Sequence, residues 1–382
     1  MMSQKNKVFI VDGKRTAFAK FGGSFKYLSP VDLAVLSAQG LVSNKIDHVI
    51  FSNVIPSTPD TLYGGRHLAL KLGLDEAIPA YNINRLCGSG IEAIVQATRL
   101  IRSGEAKMVL TSGAENLSLS PHLTYGARFG TKYGALKSKD LLWDTLTDQY
   151  INTPMGMTAE ALAQKQAITR QESDEYSLNS HLKAIKAYQE GLIQDELVEH
   201  PKCSRDEHLR EDIKLEELSK LKPTFSEKGV VTAGSASGIV DGAASLLIAS
   251  EEMVNELKLT PLAEIIDWHV CGVDPRLMGM GPVPAISNLL QKNSLELEQI
   301  DFFEINEAFA PQVMYCQQIL KIPEEKLNVW GGAVALGHPL GATGLKISLT
   351  LSRQLRHYNK KLGIASACIG GGQGIALLIK GL

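Results

Sequence analysis

Four short stretches, far apart along the chain, carry residue types that could do chemistry together. They are Cys87-Gly88-Ser89-Gly90, Asn306-Glu307-Ala308-Phe309-Ala310, Gly337-His338-Pro339-Leu340-Gly341-Ala342-Thr343-Gly344 and Cys368-Ile369-Gly370-Gly371-Gly372-Gln373-Gly374. A cysteine thiolate is a strong nucleophile, and a histidine, with an ordinary pKa of about 6.5, is a suitable base to deprotonate a thiol. The stretches therefore predict catalysis through a cysteine, provided that the fold brings them to one place.

The first cysteine is expected at a turn between a strand and a helix. Residues 78–83 form an apolar, strand-like run, and residues 91–100 carry apolar side chains at helical spacing. Free N–H groups at the start of that helix favour an anion, so we expect the pKa of the Cys87 thiol to lie below the free value of about 8.5. Gly88 and Gly90 leave room for a substrate at the sulfur. A lone cysteine in such a turn is more often simply buried, so this interpretation depends on the other stretches.

The sequence also indicates two similar halves. Apolar strand patterns end at Asn53 and at Asn306, and from these residues it is 87 − 53 = 34 positions to Cys87 and 338 − 306 = 32 positions to His338. A small-residue turn, an apolar helix and a further strand follow in both cases. Alternating strands and helices predict a parallel sheet covered on both faces, and the carboxyl ends of its strands would converge on one crevice.

A charged and irregular block interrupts this plan. Residues 118–156 show weak periodicity, and a capping box at Thr169 and Glu172 then predicts a helix. The expected units are a first half of residues 1–118 with 240–260, an inserted loop domain of residues 119–239, and a second half of residues 261–382.

Bulk composition excludes several classes of protein. The net charge of −2 argues against a general binder of nucleic acid or of anionic membranes, and the chain has no apolar run long enough to span a membrane. Five widely separated cysteines without a C-x-x-C pair argue against a disulfide framework or a zinc ribbon. With no signal-peptide pattern after Met1 and no peroxisomal tripeptide at residues 380–382, we expect a cytoplasmic location.

At this level of detail the sequence resembles the thiolase family, close to the acetyl-CoA acetyltransferases. The likeness runs nearly end to end and joins the four stretches to further motifs. These motifs are Val11-Asp12-Gly13-x-Arg15-Thr16, Met155-Gly156-x-Thr158-Ala159-Glu160, Val231-Thr232-Ala233-Gly234-x-Ala236-Ser237-Gly238 and Gly281-Pro282-Val283-Pro284-Ala285. The resemblance implies an α/β thiolase fold, in which two similar mixed-sheet halves form a layered αβαβα arrangement with an inserted loop domain.

The resemblance also implies a reaction and a role for each catalytic residue. The expected enzyme is an acetyl-CoA C-acetyltransferase, which condenses two acetyl-CoA molecules to acetoacetyl-CoA and CoA through an acetyl-Cys87 intermediate, and catalyses the reverse thiolysis. His338 would deprotonate Cys87, and Cys368 would be the second acid and base. His338 with a water held by Asn306 would form one oxyanion hole, and the N–H groups of Cys87 and Gly370 would form the other.

Binding residues follow from the resemblance in the same way. Ser237, Ala233 and Arg210 are expected to contact CoA, and the acyl pocket is expected to be walled by Met155, Phe225, Met278 and Phe309. Acetyl-CoA, acetoacetyl-CoA and CoA would be substrates and products, with no separate cofactor and no metal. Residues 122–142 resemble the loop by which many members form tetramers, so a homodimer or homotetramer is expected.

Alternative functions differ in features that the sequence carries. Pro154 stands where short-chain relatives often have histidine, which keeps open a 3-ketoacyl-CoA thiolase of longer or broader chain length. A non-catalytic thiolase-like lipid carrier would be expected to have lost Cys87, His338 or Cys368, and a ketosynthase typically uses two histidines beside its cysteine. The glycines at residues 370–374 precede a strand pattern and not a helix, which excludes a dinucleotide-binding loop.

Overall fold

The computed structural model describes residues 6–382, and the statements below concern that part of the chain. Its strands are β1 (Val8–Arg15), β2 (Ala19–Lys20), β3 (His48–Ser52), β4 (Ala80–Ile83), β5 (Met108–Glu115), β6 (His122–Leu123), β7 (Lys139–Asp140), β8 (Thr147–Asp148), β9 (Thr153–Pro154), β10 (Val240–Ser250), β11 (Ala263–Gly272), β12 (Phe302–Ile305), β13 (Leu362–Ile369) and β14 (Gln373–Gly381). Its α-helices are α1 (Pro30–Ala38), α2 (Gly64–Lys71), α3 (Ser89–Ser103), α4 (Leu141–Thr145), α5 (Met155–Gln166), α6 (Arg170–Gln189), α7 (Leu215–Leu218), α8 (Glu251–Glu256), α9 (Pro282–Lys292), α10 (Ala310–Leu320), α11 (Ala333–Leu336) and α12 (Leu340–His357). Residues 1–5, which the expectation about the amino terminus includes, lie outside the described residues.

The large sheet is mixed, as the family resemblance implied, whereas the parallel sheet predicted from the alternation of strands and helices alone was wrong. Its order is β12-β13-β14-β11-β1-β10-β5-β3-β4, with the two-residue β2 beside β10. β3 is parallel to β4 and β5, and β12 is parallel to β13, whereas β10 and β14 run antiparallel to both of their long neighbours. β14 follows β13 through a tight turn at residues 370–372, and such a hairpin can only join antiparallel strands.

Both halves of the sheet repeat one plan, as the sequence predicted. The corresponding pairings are Ser52 of β3 with Gly113 of β5, and Ile305 of β12 with Ser366 of β13. An asparagine, Asn53 or Asn306, follows the first member of each pairing. Glu115 lies two residues after Gly113, and Cys368 lies two residues after Ser366. The carboxyl group of Glu115 in the first half therefore corresponds in position to the thiol of Cys368 in the second half.

Helices α3 and α12 cross at two glycines. A Cβ atom on Gly90 would lie 2.6 Å from the backbone nitrogen of Leu345, and a Cβ atom on Gly344 would lie 2.2 Å from that of Ile91. Because real side chains do not approach a backbone this closely, the crossing requires glycine at both positions. The first turns of the two helices therefore lie together, and the loops that carry the predicted cysteine and histidine open toward the same region.

The core lies between this sheet and its helices. α12 is buried along nearly its whole length, and its apolar side chains, such as Leu345 and Leu349, pack in one cluster with those of α3, including Ile91 and Ile94. A helix that is apolar or small on all sides is stable only when it is enclosed in this way. Burial of α3 and α12 between the layers fixes the positions of their amino-terminal ends.

Between β5 and β10 the chain forms a separate set of small elements. Residues 118–156, whose sequence gave weak periodicity, contain the hairpins β6–β7 and β8–β9 and the short helix α4. The capping box at the start of α6 is confirmed, because the Thr169 hydroxyl accepts a hydrogen bond from the N–H of Glu172 and the Glu172 carboxylate accepts one from the N–H of Thr169. The tip of the β6–β7 hairpin exposes aromatic side chains, among them Phe129 at 91% and Tyr133 at 99%.

This segment is tied to the sheet by a buried ion-pair cluster. The guanidinium of Arg15, on β1, lies 3.0 Å from the carboxylate of Glu196 and 2.8 Å from that of Asp206. All three side chains are buried, and removing one partner of such a cluster would leave an uncompensated charge, at a cost of about 3–5 kcal/mol. The contact therefore holds the inserted segment in a fixed place relative to β1.

Candidate active site

Cys87 lies in the turn between β4 and α3, where the sequence predicted it. Two side chains shape this turn: the Asn84 carboxamide oxygen accepts a hydrogen bond of 2.9 Å from the N–H of Leu86, and the Ser89 hydroxyl accepts one of 2.8 Å from the N–H of Arg85. Leu86 adopts a left-handed backbone conformation with φ of 45°. Such a conformation costs a non-glycine residue about 1 kcal/mol or more, so the two side-chain hydrogen bonds support the strained turn.

The Cys87 thiol is protonated at neutral pH. The backbone N–H groups of Cys87 and Gly370 point at its sulfur and act to lower its pKa, but burial outweighs them and raises the pKa to about 11, with a smaller contribution from the charge of Glu115. The expectation of a low thiol pKa was therefore wrong for the resting protein. A thiol of this kind becomes a nucleophile only when a base removes its proton.

His338, on the wall of the neighbouring cavity, is the candidate for this base, and its hydrogen bonds define its tautomer. Its Nδ1 lies 2.6 Å from the Thr343 hydroxyl, and that hydroxyl in turn donates to the carbonyl oxygen of Pro339 at 3.1 Å. The hydroxyl must then accept from Nδ1–H, which leaves the lone pair on Nε2, where it can accept a hydrogen bond from the Asn306 NH2 group. Nε2 lies 3.3 Å from the Asn306 side-chain nitrogen. Burial lowers the pKa of His338 to about 4, so the ring is neutral at physiological pH and able to take a proton.

Alkylation of Cys87 by iodoacetamide is expected to accelerate about tenfold for each pH unit between roughly pH 7 and 9, because only the thiolate reacts. A thiol whose pKa is about 11 gains thiolate in that proportion and reaches no plateau in this interval. The rate is measured by mass spectrometry of the peptide that contains Cys87, which separates it from the other thiols. A plateau below about pH 8 would contradict the buried thiol and would support the stabilised thiolate predicted from the sequence.

Cys368 lies near the end of β13 and is fully buried. Its side chain packs with Met278 and Ala308, with Met155 and Phe309 at the edge of the same cluster. Burial raises the pKa of the Cys368 thiol well above its usual value, and the charge of the Cys87 thiolate adds to the rise. The two sulfurs are thus close enough to interact, and Gly370, just beyond Cys368, supplies an N–H group to Cys87.

A cavity of about 380 Å³ opens beside these residues. Its apolar walls include Leu117, Leu142, Trp143, Leu146, Leu340, Met155, Phe225 and Phe309, and its polar groups include Ser237 and His338. Three of the wall residues, Leu117, Leu142 and Leu340, belong to the buried apolar cluster against which Cys87 packs. The cavity therefore shares part of its wall with the surroundings of Cys87, and His338 lies on that wall.

The other predicted binding residues lie outside the lining of this cavity. Met278 is buried behind it, against Cys368. Ala233 is exposed, and Arg210 is exposed with its backbone N–H directed at the ring of His181, 3.2 Å away. The structure therefore brings together the catalytic candidates and most of the acyl-pocket candidates, and leaves two of the CoA candidates on the surface beyond the cavity.

Sequence reasoning missed Thr343 and the walls from the inserted segment. Thr343 was part of a recognised glycine-rich stretch, but only the hydrogen bond to Nδ1 shows that it orients His338. Leu142, Trp143 and Leu146 lie in a region of weak periodicity, so no sequence signal placed them in a wall. Within the described residues 6–382, no group of three or more His, Cys, Asp or Glu side chains could hold a metal ion, and no helix is long and apolar enough to cross a membrane.

Comparison with known proteins agrees with this architecture. Residues 8–252 match the family description "Thiolase, N-terminal domain", and residues 259–381 match "Thiolase, C-terminal domain". Human mitochondrial 3-ketoacyl-CoA thiolase is 45% identical over 388 aligned residues, which cover 98% of each chain. Its crystal structure in complex with CoA superposes with a TM-score of 0.97, at 44% identity, and covers 100% of this chain and 99% of that chain. Acetyl-CoA acetyltransferase of Bacillus anthracis superposes with a TM-score of 0.95, at 40% identity and 99% coverage of both chains.

The fold and these matches define an acyltransferase whose two halves meet around a cysteine and a histidine. The chain belongs to the thiolase family. The α/β thiolase fold expected from the sequence motifs is confirmed by the solved relatives.

Proposed function

We propose that this protein is a 3-ketoacyl-CoA thiolase, which cleaves a 3-ketoacyl-CoA with CoA into acetyl-CoA and a shortened acyl-CoA. The sequence motifs favoured an acetyl-CoA C-acetyltransferase and kept this function as the alternative. The name of the human relative, at 45% identity, supports the alternative. The observation that carries the proposal is the cavity with mainly apolar walls, three of which (Leu117, Leu142 and Leu340) belong to the cluster against which Cys87 packs. An acyl chain longer than acetoacetyl would bury its methylene groups there.

In the first half-reaction Cys87 is the nucleophile. Nε2 of His338 takes its proton, and the sulfur attacks the 3-keto carbon of the substrate. The bond between C2 and C3 then breaks, its electron pair remains on C2 as the enolate of acetyl-CoA, and the Cys368 thiol donates a proton to C2. Acetyl-CoA leaves, and the remaining acyl group is a thioester on Cys87. The high pKa of Cys368 fits a group that begins the step as a protonated acid.

The second half-reaction returns every proton to its origin. The Cys368 thiolate takes the proton of the CoA thiol, and the CoA thiolate attacks the acyl carbon on Cys87. Cys87 leaves as a thiolate and recovers its proton from the His338 imidazolium. Read in reverse, the same steps give Claisen condensation, with Cys368 as the base that removes a proton from acetyl-CoA.

Negative oxygen develops in both half-reactions and requires hydrogen-bond donors in fixed positions. The N–H groups of Cys87 and Gly370, which converge near the sulfur, are suited to stabilise the tetrahedral oxyanion on the acyl carbon. His338 and a water held by Asn306 would stabilise the enolate oxygen. The buried Oδ1 of Asn306 has no hydrogen-bond partner among the described residues, which supports a place for such a water.

CoA would bind along the inserted segment. Ser237 lies on the cavity wall, where it can contact the pantetheine arm, and Ala233 and Arg210 would bind parts of CoA that remain outside the cavity. Assembly into two or four copies stays a prediction, which the exposed aromatic side chains of Phe129 and Tyr133 in the expected tetramer loop support. The cytoplasmic location also stays a prediction.

Thiolysis rates on two substrates test the chain length. We expect kcat/KM for 3-ketodecanoyl-CoA to exceed that for acetoacetyl-CoA by at least about tenfold, because burial of only two further methylene groups, at about 0.8 kcal/mol each, supplies that factor. Both substrates are compared at one enzyme concentration, with CoA in excess and with the loss of the 3-ketoacyl-CoA measured, because acetoacetyl-CoA yields two acetyl-CoA per turnover and 3-ketodecanoyl-CoA yields one. Faster cleavage of acetoacetyl-CoA would restore the acetyl-CoA C-acetyltransferase, and no cleavage of either would favour the lipid carrier.

A further inference from the structure

Glu115, at the end of β5, is a fully buried carboxyl group that is bound only by N–H groups of neutral residues. One of its oxygens accepts hydrogen bonds from the backbone N–H of Val54 at 2.6 Å and of Gly341 at 3.1 Å. The other accepts from the backbone N–H of Ile55 at 3.3 Å and from the side-chain nitrogen of Asn53 at 3.2 Å. The side chain thus joins the loop after β3 to the first turn of α12.

This geometry is that of a carboxylate. Burial raises the pKa of Glu115 to about 8, although the backbone N–H groups of Val54, Ile55 and Gly341 act to lower it. However, each oxygen already receives two N–H groups, which leaves no acceptor for a carboxyl proton and opposes protonation. The positive end of α12, whose first turn contains Gly341, favours the negative charge as well.

The groups that Glu115 binds form the surroundings of the Cys87 sulfur. Val54 and Ile55, which donate to it directly, pack in one cluster with Leu340 and Cys87. Leu340 is adjacent to Gly341, the donor on α12. A shift of either donor segment would therefore move the apolar wall against which the thiol packs.

His338 depends on the same turn of α12. It lies two residues before Leu340, and its Nδ1 is held by Thr343, within that turn. The carboxylate of Glu115 and the hydroxyl of Thr343 therefore fix two sides of one short segment. The first connects it to the half that carries Cys87, and the second connects it to the imidazole.

We propose that Glu115 is a positioning residue for acyl transfer, which fixes the loop after β3 and the first turn of α12 and thereby holds His338 in place against Cys87. This inference rests on the role proposed above for Cys87. In the plan that the two halves share, Glu115 occupies the position of Cys368. One half thus uses this position for proton transfer, and the other uses it to support the nucleophile and its base.

Glu115→Gln tests the proposal with little change in volume. The carboxamide can accept with one oxygen only, and its NH2 group must face two N–H donors. The two hydrogen bonds to one of the original carboxylate oxygens are therefore lost. We expect kcat for thiolysis to fall about 100-fold, the size of effect that a misplacement of about 1 Å produces. The fraction of chains that carry an acetyl group on Cys87 after prolonged incubation with acetyl-CoA should stay at the wild-type value, since the sites remain folded.

A pH profile separates this role from a general structural one. Because the charge of Glu115 raises the pKa of Cys87, its removal should shift the iodoacetamide alkylation profile of Cys87 to lower pH. The variant would then hold more thiolate and yet turn over more slowly. A final acetylated fraction that falls in proportion to kcat, or a kcat within twofold of wild type, would overturn the proposal.

Asp47→Asn is the matched control. Asp47 precedes β3, and its carboxylate accepts from the backbone N–H groups of Lys107 at 2.6 Å and Met108 at 2.9 Å, so it clamps β3 to β5 at the opposite end from the site. Its kcat should stay within about twofold of wild type, as for most substitutions away from a functional site. An equal loss of kcat in Asp47→Asn would show that loss of any hydrogen-bonded connection between β3 and β5 lowers activity. That result would contradict a specific positioning role for Glu115.

Asn53→Ala provides a second variant if Glu115→Gln does not fold. It removes one of the four donors and keeps the carboxylate, so we expect a kcat about tenfold lower with a wild-type final fraction of acetylated Cys87. An unchanged kcat in this variant would also overturn the proposal. Failure of the wild-type protein to acylate Cys87 at all would instead contradict the proposed function.

Discussion

Cys87→Ala is expected to fold normally and to lose turnover by a factor on the order of 10⁵, because covalent catalysis has no route without its nucleophile. Cys87 is only partly buried, so removal of one sulfur atom should cost only about 1 kcal/mol of stability. The measurement is steady-state thiolysis, with thermal unfolding of the same preparation. After incubation with acetyl-CoA, mass spectrometry should find an acetyl group on the wild-type chain and none on the variant.

Cys203→Ala serves as its control, because it removes another buried thiol at a distance from the cavity. The Cys203 sulfur contacts the carbonyl oxygen of Arg205, and it packs in the cluster under the inserted segment. Acetylation and thiolysis should both be retained in this variant. If Cys87→Ala kept more than about one per cent of the wild-type rate, Cys87 could not be the nucleophile that this mechanism requires.

Cys368→Ala is expected to separate the two half-reactions. Transfer of an acetyl group from acetyl-CoA to Cys87 needs His338 and the N–H groups near the sulfur, and CoA can leave as a thiolate without a proton from Cys368, so acetylation should persist. Formation of the carbon–carbon bond needs a base at the second thiol, so condensation should fall about 10³-fold. Exchange of the methyl protons of acetyl-CoA with deuterium in the solvent reports this base directly, and it should be lost to the same extent.

The matched control for this experiment is Cys271→Ala, on β11. Its sulfur makes only long contacts, of 3.8 Å and 3.9 Å, to the carbonyl oxygens of Gly281 and Gly374. Proton exchange and condensation should be unaffected there. Deuterium exchange at the wild-type rate in Cys368→Ala would assign the base to another group, and His338 would be the next candidate.

The sequence was sufficient to predict the parts of the site that lie in local patterns. The turn at Cys87, the correspondence of Asn53 with Asn306 and that of Cys87 with His338 depend on short-range motifs and on equal spacing in the two halves. The role of Glu115 could not be found in this way. Its four hydrogen-bond donors lie on the loop after β3 and on the first turn of α12, which is more than 200 positions away in the sequence. Its correspondence with Cys368 follows only from the strand registers, β3 with β5 and β12 with β13.

The pKa of Cys87 shows how local reasoning fails when burial opposes it. A helix amino terminus stabilises a negative charge by about 0.3–2 kcal/mol. A rise of the thiol pKa from 9.0 to about 11 corresponds to roughly 2.7 kcal/mol in the other direction. The sequence shows that a helix begins beside the thiol, but it does not show how much protein surrounds the sulfur, and here the second effect is larger.

The glycine crossing of α3 and α12 has a consequence for how the family can vary. Gly90 and Gly344 belong to different halves, and each would clash with the backbone of the other helix if it carried a side chain. A larger residue therefore cannot replace either glycine unless the other helix moves, whereas surface residues of each half can change independently. A chimera that takes its halves from two different thiolases should preserve its reaction centre only if both parents contribute glycine at this point.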